Sequence, residues 1–187
     1  MAKLNETDTF CRDSLFNIGF CPNNYWLRKN GLSLYGRYNK DNLLSAINRF
    51  SEAKNDVNAS ILKTENSYAL ADLKFLENRI NCSILHLKAF VAMKEIQPLF
   101  RENPDPELSE EDRQKVIQTC NRALDMEKEY VNTHSGLIPD RGAEGTLVSY
   151  MGGPYQCLKS ILNRYGRSVN DTIKMQKQFD APPEPGQ

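Results

Sequence analysis

The stretch Asp41–Gln97, DNLLSAINRF SEAKNDVNAS ILKTENSYAL ADLKFLENRI NCSILHLKAF VAMKEIQ, contains neither glycine nor proline. Inside a helix those residues cost roughly 1 and 3 kcal/mol relative to alanine, so their absence over so long a run predicts helix. The first apolar stripe is Leu43, Ile47, Phe50, Val57 and Ile61, with steps of three, four or seven residues, the spacing of one helix face. Lys54 stands where the stripe would continue, and Ala53 beside it can fill the seam. Asn55, Asn58 and Ser60 lie between stripe positions, so this helix shows one face to water. A second helix is expected from Ser67 to Gln97. Its stripe Leu73, Leu76, Ile80, Leu87, Val91 is joined by Phe75, Cys82, Leu85, Phe90 and Met93. Two apolar faces make it the expected central helix of a bundle. The link Lys63–Asn66 holds no breaker, but an unbroken helix over the whole stretch would rise roughly 85 Å at 1.5 Å per residue, so a turn is expected there.

Working outward, Glu102-Asn-Pro-Asp-Pro-Glu107 breaks the chain. Ser109 then caps a third helix, with acidic Glu110, Glu111 and Asp112 at the positive end of its dipole. The stripe of that helix is Val116 or Ile117, Cys120, Ala123 or Leu124, and Tyr130 or Val131. A fourth helix is expected from Pro154 to before Gly166, burying Leu158, Ile161, Leu162 and Tyr165. A weaker fifth would cover about 168–179. Residues 1–40 carry Phe10, Phe16, Phe20, Tyr25, Trp26, Tyr35 and Tyr38 with Gly19, Pro22, Gly31 and Gly36 among them. They read as an irregular, aromatic-rich segment that packs its rings on the bundle or offers them to a ligand. The expectation is therefore an all-α fold, an antiparallel helical bundle of four to five helices. Its divisions are the irregular segment 1–40, the bundle 41–180 and a disordered tail 181–187.

A chain of 187 residues can support a real core as one domain. Lysine plus arginine equals aspartate plus glutamate at 24 each, so the net charge is zero. The basic excess of a nucleic-acid binder is missing, and no nucleic-acid partner is expected. No apolar run reaches 18 residues, and the first residues lack a signal-like apolar core, so the chain as given reads as cytoplasmic and without a membrane partner. The five cysteines, Cys11, Cys21, Cys82, Cys120 and Cys157, form no CxxC pair. Free buried thiols are expected, with a Cys11–Cys21 disulfide the alternative in an oxidising compartment. The sequons at Asn5, Asn58, Asn81 and Asn170 carry little weight.

The segment 132–155, NTHSGLIPDRGAEGTLVSYMGGPY, is unlike the rest, with five glycines, two prolines and a cluster of polar and aromatic side chains. Long connections of this kind often carry function. Asp140 and Glu144 suit an acid/base pair, Arg141 an anion and His134 a proton. The structural reading of the same residues has Asp140 capping a turn, Arg141 paired with Glu144, and glycines at the corners. The candidate binding residues are His134, Asp140, Arg141, Glu144, Tyr150, Tyr155 and Trp26. Cys82 and His86, four residues apart, share a helix face as two metal ligands would, but no third or fourth ligand is evident, and a packed histidine is the simpler account. No metal, cofactor or catalytic residue is assigned. Gly145–Gly153 lacks the Lys-Ser/Thr of a phosphate loop.

The layout from Tyr38 to Tyr165, about two thirds of the chain, resembles the helical region that follows the catalytic barrel in some bacterial glycoside hydrolases. The residues that carry the resemblance are those around Arg79 and the block Asp140-Arg-Gly-Ala-Glu-Gly-Thr-Leu-Val-Ser-Tyr150. There is no barrel here, so no catalytic residue transfers. The resemblance implies a non-catalytic accessory or interaction module whose partner is another protein or a catalytic domain of its own, with carbohydrate nearby. Whether the chain is itself an enzyme is left open. The alternatives are a small enzyme using His134, Asp140 and Glu144, and a self-assembling helical scaffold.

Overall fold

The computed structural model describes residues 2–15, 39–100, 106–136 and 156–166. These residues form α1 (Ala2–Leu15), α2 (Lys40–Ile61), α3 (Ser67–Lys94), a single 3-10 turn (Gln97–Phe100), α4 (Glu110–Ser135) and α5 (Gln156–Tyr165). No strand occurs among them, so the fold is all-α.

Each boundary has a local cause. Asn39 caps α2 by accepting from the Asp41 amide at 2.7 Å. Asn66 caps α3 by accepting from Tyr68 and Ala69 at 3.0 and 3.1 Å, which makes Leu62–Asn66 the expected turn. Ser109 caps α4: its Oγ accepts from the Asp112 amide at 3.1 Å and donates to the Asp112 carboxylate at 2.9 Å. These contacts satisfy first-turn N–H groups that no helix can pair internally. At the end of α5 the Gly166 amide donates to the Leu162 carbonyl at 2.7 Å. A Cβ at Gly166 would stand 2.5 Å from that oxygen, so no other residue fits this ending.

The helices alternate in direction. Lys3 meets Asp56 and Arg49 covers the Phe10 ring, which sets α1 antiparallel to α2. Lys54 donates to Asn81 Oδ1 at 3.1 Å between α2 and α3. Arg122 pairs with Glu95 at 2.6 Å while Cys82 lies against Tyr130, which makes α3 and α4 antiparallel. Arg113 near the start of α4 donates to the Tyr165 carbonyl at the end of α5 at 3.0 Å. One core links these helices, with Leu43, Phe50, Ile80, Leu87, Phe90, Met93, Val116, Cys120 and Leu158 nearly inaccessible to water.

Two expectations need correction. The first part of the supposedly irregular segment 1–40 is helical, because no glycine or proline precedes Gly19 and Leu4, Thr7 and Cys11 fall on one face. Thr7 disguises that stripe: it is buried, and its hydroxyl donates to the Lys3 carbonyl at 2.6 Å. Leu73 and Leu76, expected in the core of the central helix, are only half-buried. No residue between Ser67 and Arg79 is buried, whereas Ile80–Met93 supplies every buried position of α3. The rest of the aromatic segment, residues 16–38, lies outside the described residues, as do the proposed helix near 168–179 and the tail 181–187. Among the described residues no helix is long and apolar enough to cross a membrane.

Candidate functional site

The polar groups that the fold gathers most tightly lie in the seam between α3 and α4. On α3, Cys82, His86 and Phe90 follow at steps of four. On α4, Glu127, Tyr130 and His134 follow at steps of three and four. Both sets therefore line one helix face, and the antiparallel seam interleaves them. His86 Nδ1 lies 3.4 Å from Glu127 Oε1, with the two side chains only 2% and 0% exposed. The His86 ring meets Phe90 edge-on at 5.0 Å, and Tyr130 is tilted against it at 6.0 Å. Tyr130 in turn stacks on His134, the rings 5.5 Å apart and 11° from parallel. The Cys82 thiol faces the Tyr130 carbonyl at 4.0 Å.

Burial controls the proton chemistry. It pushes the Glu127 carboxyl above its ordinary range, and the His86 imidazole opposes that shift. At 3.4 Å the contact is longer than a charge-assisted hydrogen bond of 2.7–2.9 Å, and among the described residues neither Glu127 oxygen has a partner of good hydrogen-bond geometry. Burial therefore favours the neutral Glu127 carboxyl, since a charge enclosed here without good hydrogen bonds would cost several kcal/mol. His134 is pulled below the ordinary imidazole value, first by burial and then by the nearby Arg79 cation. Burial lifts the Cys82 thiol to about 11, which keeps it protonated and unreactive.

The positions expected from sequence divide unevenly. His134 is not in a connection: α4 continues through Ser135, and the side chain is 6% exposed inside the seam. It meets Tyr130 there. Asp140, Arg141, Glu144, Tyr150, Tyr155 and Trp26 lie outside the described residues. Cys82 and His86 do share a face, but the imidazole turns to Glu127 and the thiol to a carbonyl. No group of three or more His, Cys, Asp or Glu side chains among the described residues is arranged to hold a metal ion. Cys11, Cys82 and Cys120 are buried thiols that form no disulfide with one another. Glu127 was not anticipated. Its signal was present in the steps Cys120, Ala123, Glu127, Tyr130, His134, where a carboxylate occupies a core position of the period.

A second feature lies on the surface. Leu62 is 88% exposed, Tyr68 84% and Phe75 49%. Tyr68, Phe75 and Cys82 are seven residues apart, so the exposed rings continue the α3 line that α4 covers further along. That cover stops because α4 ends at Ser135, near the level of Arg79. On the α2 side the same half of α3 borders a groove of about 200 Å³, floored by Leu4, Ala53, Val57, Leu73 and Leu76 and edged by the Lys3–Asp56 ion pair. No protein-family model, no curated protein and no solved structure matches this chain.

Proposed function

We propose that this chain is a non-catalytic helical module that seats a protein partner on the first half of α3 and the turn before it. The observation that carries the reading is the set of large apolar side chains held in water, Leu62 in the turn after α2 and Tyr68 and Phe75 on the half of α3 that has no fully buried residue. Covering a side chain of this size gains about 1.5–3 kcal/mol. A patch of this kind on otherwise well-packed helices marks a contact surface. The buried His86–Glu127 pair supports the same reading, because a group at 0–2% exposure meets no substrate. The partner we favour is a carbohydrate-active catalytic domain, on the same chain or another, and that choice rests on the sequence resemblance alone.

The test is site-directed photocrosslinking. A benzophenone amino acid replaces Tyr68, and a control copy carries it at Glu111, an exposed residue on α4. Crosslinks from position 68, absent from position 111, that map to a catalytic domain acting on carbohydrate are the expected result. Crosslinks only to second copies would favour a self-assembling scaffold. Equal, diffuse labelling from both positions would refute the docking surface.

A further inference from the structure

The chain has two histidines, and both are buried in the same seam. His86 sits at its middle against Glu127, and His134 at its open end, one residue before the last of α4. His134 Nδ1 is inaccessible to water and has no hydrogen-bond partner among the described residues. The groups that face this end come from the two helices that make it: Arg79, Cys82 and His86 from α3, and Glu127 and Tyr130 from α4. Of these, Arg79 carries a fixed positive charge, and the one carboxyl, Glu127, is biased by burial toward its neutral form.

We propose that this end of the α3–α4 seam is an acid-operated latch, in which protonation of His134 releases the last two turns of α4 from α3. A neutral imidazole stacks on Tyr130 and closes the seam. An imidazolium there would be buried, without a described carboxylate of its own, and close to the Arg79 cation. Two influences favour the cation, the C-terminal end of the α4 dipole and the Tyr130 ring face. Burial, with the Arg79 cation beside it, opposes them and holds His134 below the ordinary imidazole range. The folded seam thus binds this proton less readily than the open one, so closure is stable at neutral pH and lost as pH falls below the ordinary imidazole value. Opening uncovers Cys82, Leu85 and Tyr130, which extends the Tyr68–Phe75 line along α3. The latch stands on the seam's geometry and does not require the docking surface to be correct.

Hydrogen exchange of the full chain tests it, from about pH 7.5 to about pH 5 and corrected for intrinsic rates. Opening only the last two turns, beyond Glu127, takes up one proton, so protection of amides 130–136 should fall by up to about tenfold per pH unit below the unfolded imidazole value, while α2 changes little. His134→Gln should abolish that dependence. Should His134→Gln fail to fold, His134→Phe keeps a ring on Tyr130 and serves the same purpose. With two imidazoles in the chain, the wild-type protein also gives a direct reading by NMR titration. A His134 midpoint at or above about 6.5 would overturn the proposal. So would an acid loss of protection that persists in the substituted chain or spreads equally over every helix.

Discussion

Replacing Glu127 with glutamine tests the buried pair through the sign of a pH dependence. The substitution keeps the shape of the side chain and removes one titrating group from a site that is 0% exposed. Glu127 has a folded-state pKa raised by burial. Between its unfolded value of about 4.3 and the raised folded value, the native chain holds a proton that the unfolded chain has given up. The contribution of this carboxyl to stability therefore falls by about 1.4 kcal/mol per pH unit as pH rises through that window, and levels off once the folded carboxyl ionises. The glutamine variant lacks this loss. Its stability relative to wild type should thus climb with pH, by about 1.4 kcal/mol for each unit of the window. For a chain of this size that is a relative rise in Tm of about 3–6 °C per unit. The assay is urea denaturation followed by far-UV circular dichroism, with both proteins measured at several values from about pH 5 to about pH 8. A difference that is flat with pH, or that shrinks as pH rises, would show that burial does not hold a proton on this carboxyl.

Three further outcomes follow from packing. Leu87→Ala, at a fully buried position, should cost about 2–5 kcal/mol in urea denaturation, and half-buried Leu76→Ala only about 1 kcal/mol; equal losses would show that the two halves of α3 are packed alike. Ser109→Ala removes the α4 cap and should cost about 1 kcal/mol by the same assay, with no loss counting against the cap. Cys11 and Cys82, both lifted to about 11 by burial, should resist a disulfide-exchange reagent in the native chain and react on unfolding, as mass spectrometry of labelled peptides would report; rapid native labelling of either would contradict its burial.

The legible part of the fold was the part governed by local pattern. Stripe residues Leu43, Phe50, Ile80 and Leu87 are buried as their spacing required, and Ser109 caps its helix as its side chain and position required. What spacing could not give was where one helix stops covering another. Leu73 and Leu76 have the period of a core face, yet they border the groove against α1 and α2 and stay half-open, while the Tyr68–Phe75 line on the other face lies beyond the end of α4. Glu127 was passed over because a carboxylate on an apolar stripe reads as a gap in the pattern, although here it is the most enclosed charged side chain described. The composition of 132–155 places His134 in a connection, while the helix runs through Ser135 up to Gly136. The Asp140–Glu144 cluster lies beyond the described residues, so its sequence reading stands where it began.

The neighbour-to-neighbour order of the helices bears on how the chain reaches its native state. The strongest contacts run α1 to α2, α2 to α3, α3 to α4 and α4 to α5, each helix meeting the one before it in sequence. Assembly can then proceed by adding hairpin to hairpin, closing short loops before long ones, which is the regime of rapid folding. The terminal helices α1 and α5 each rest mainly on a single partner. On that ground they should be the first to detach under mild denaturant, with the amides of the α2–α3–α4 centre protected longest, an order that hydrogen exchange would report.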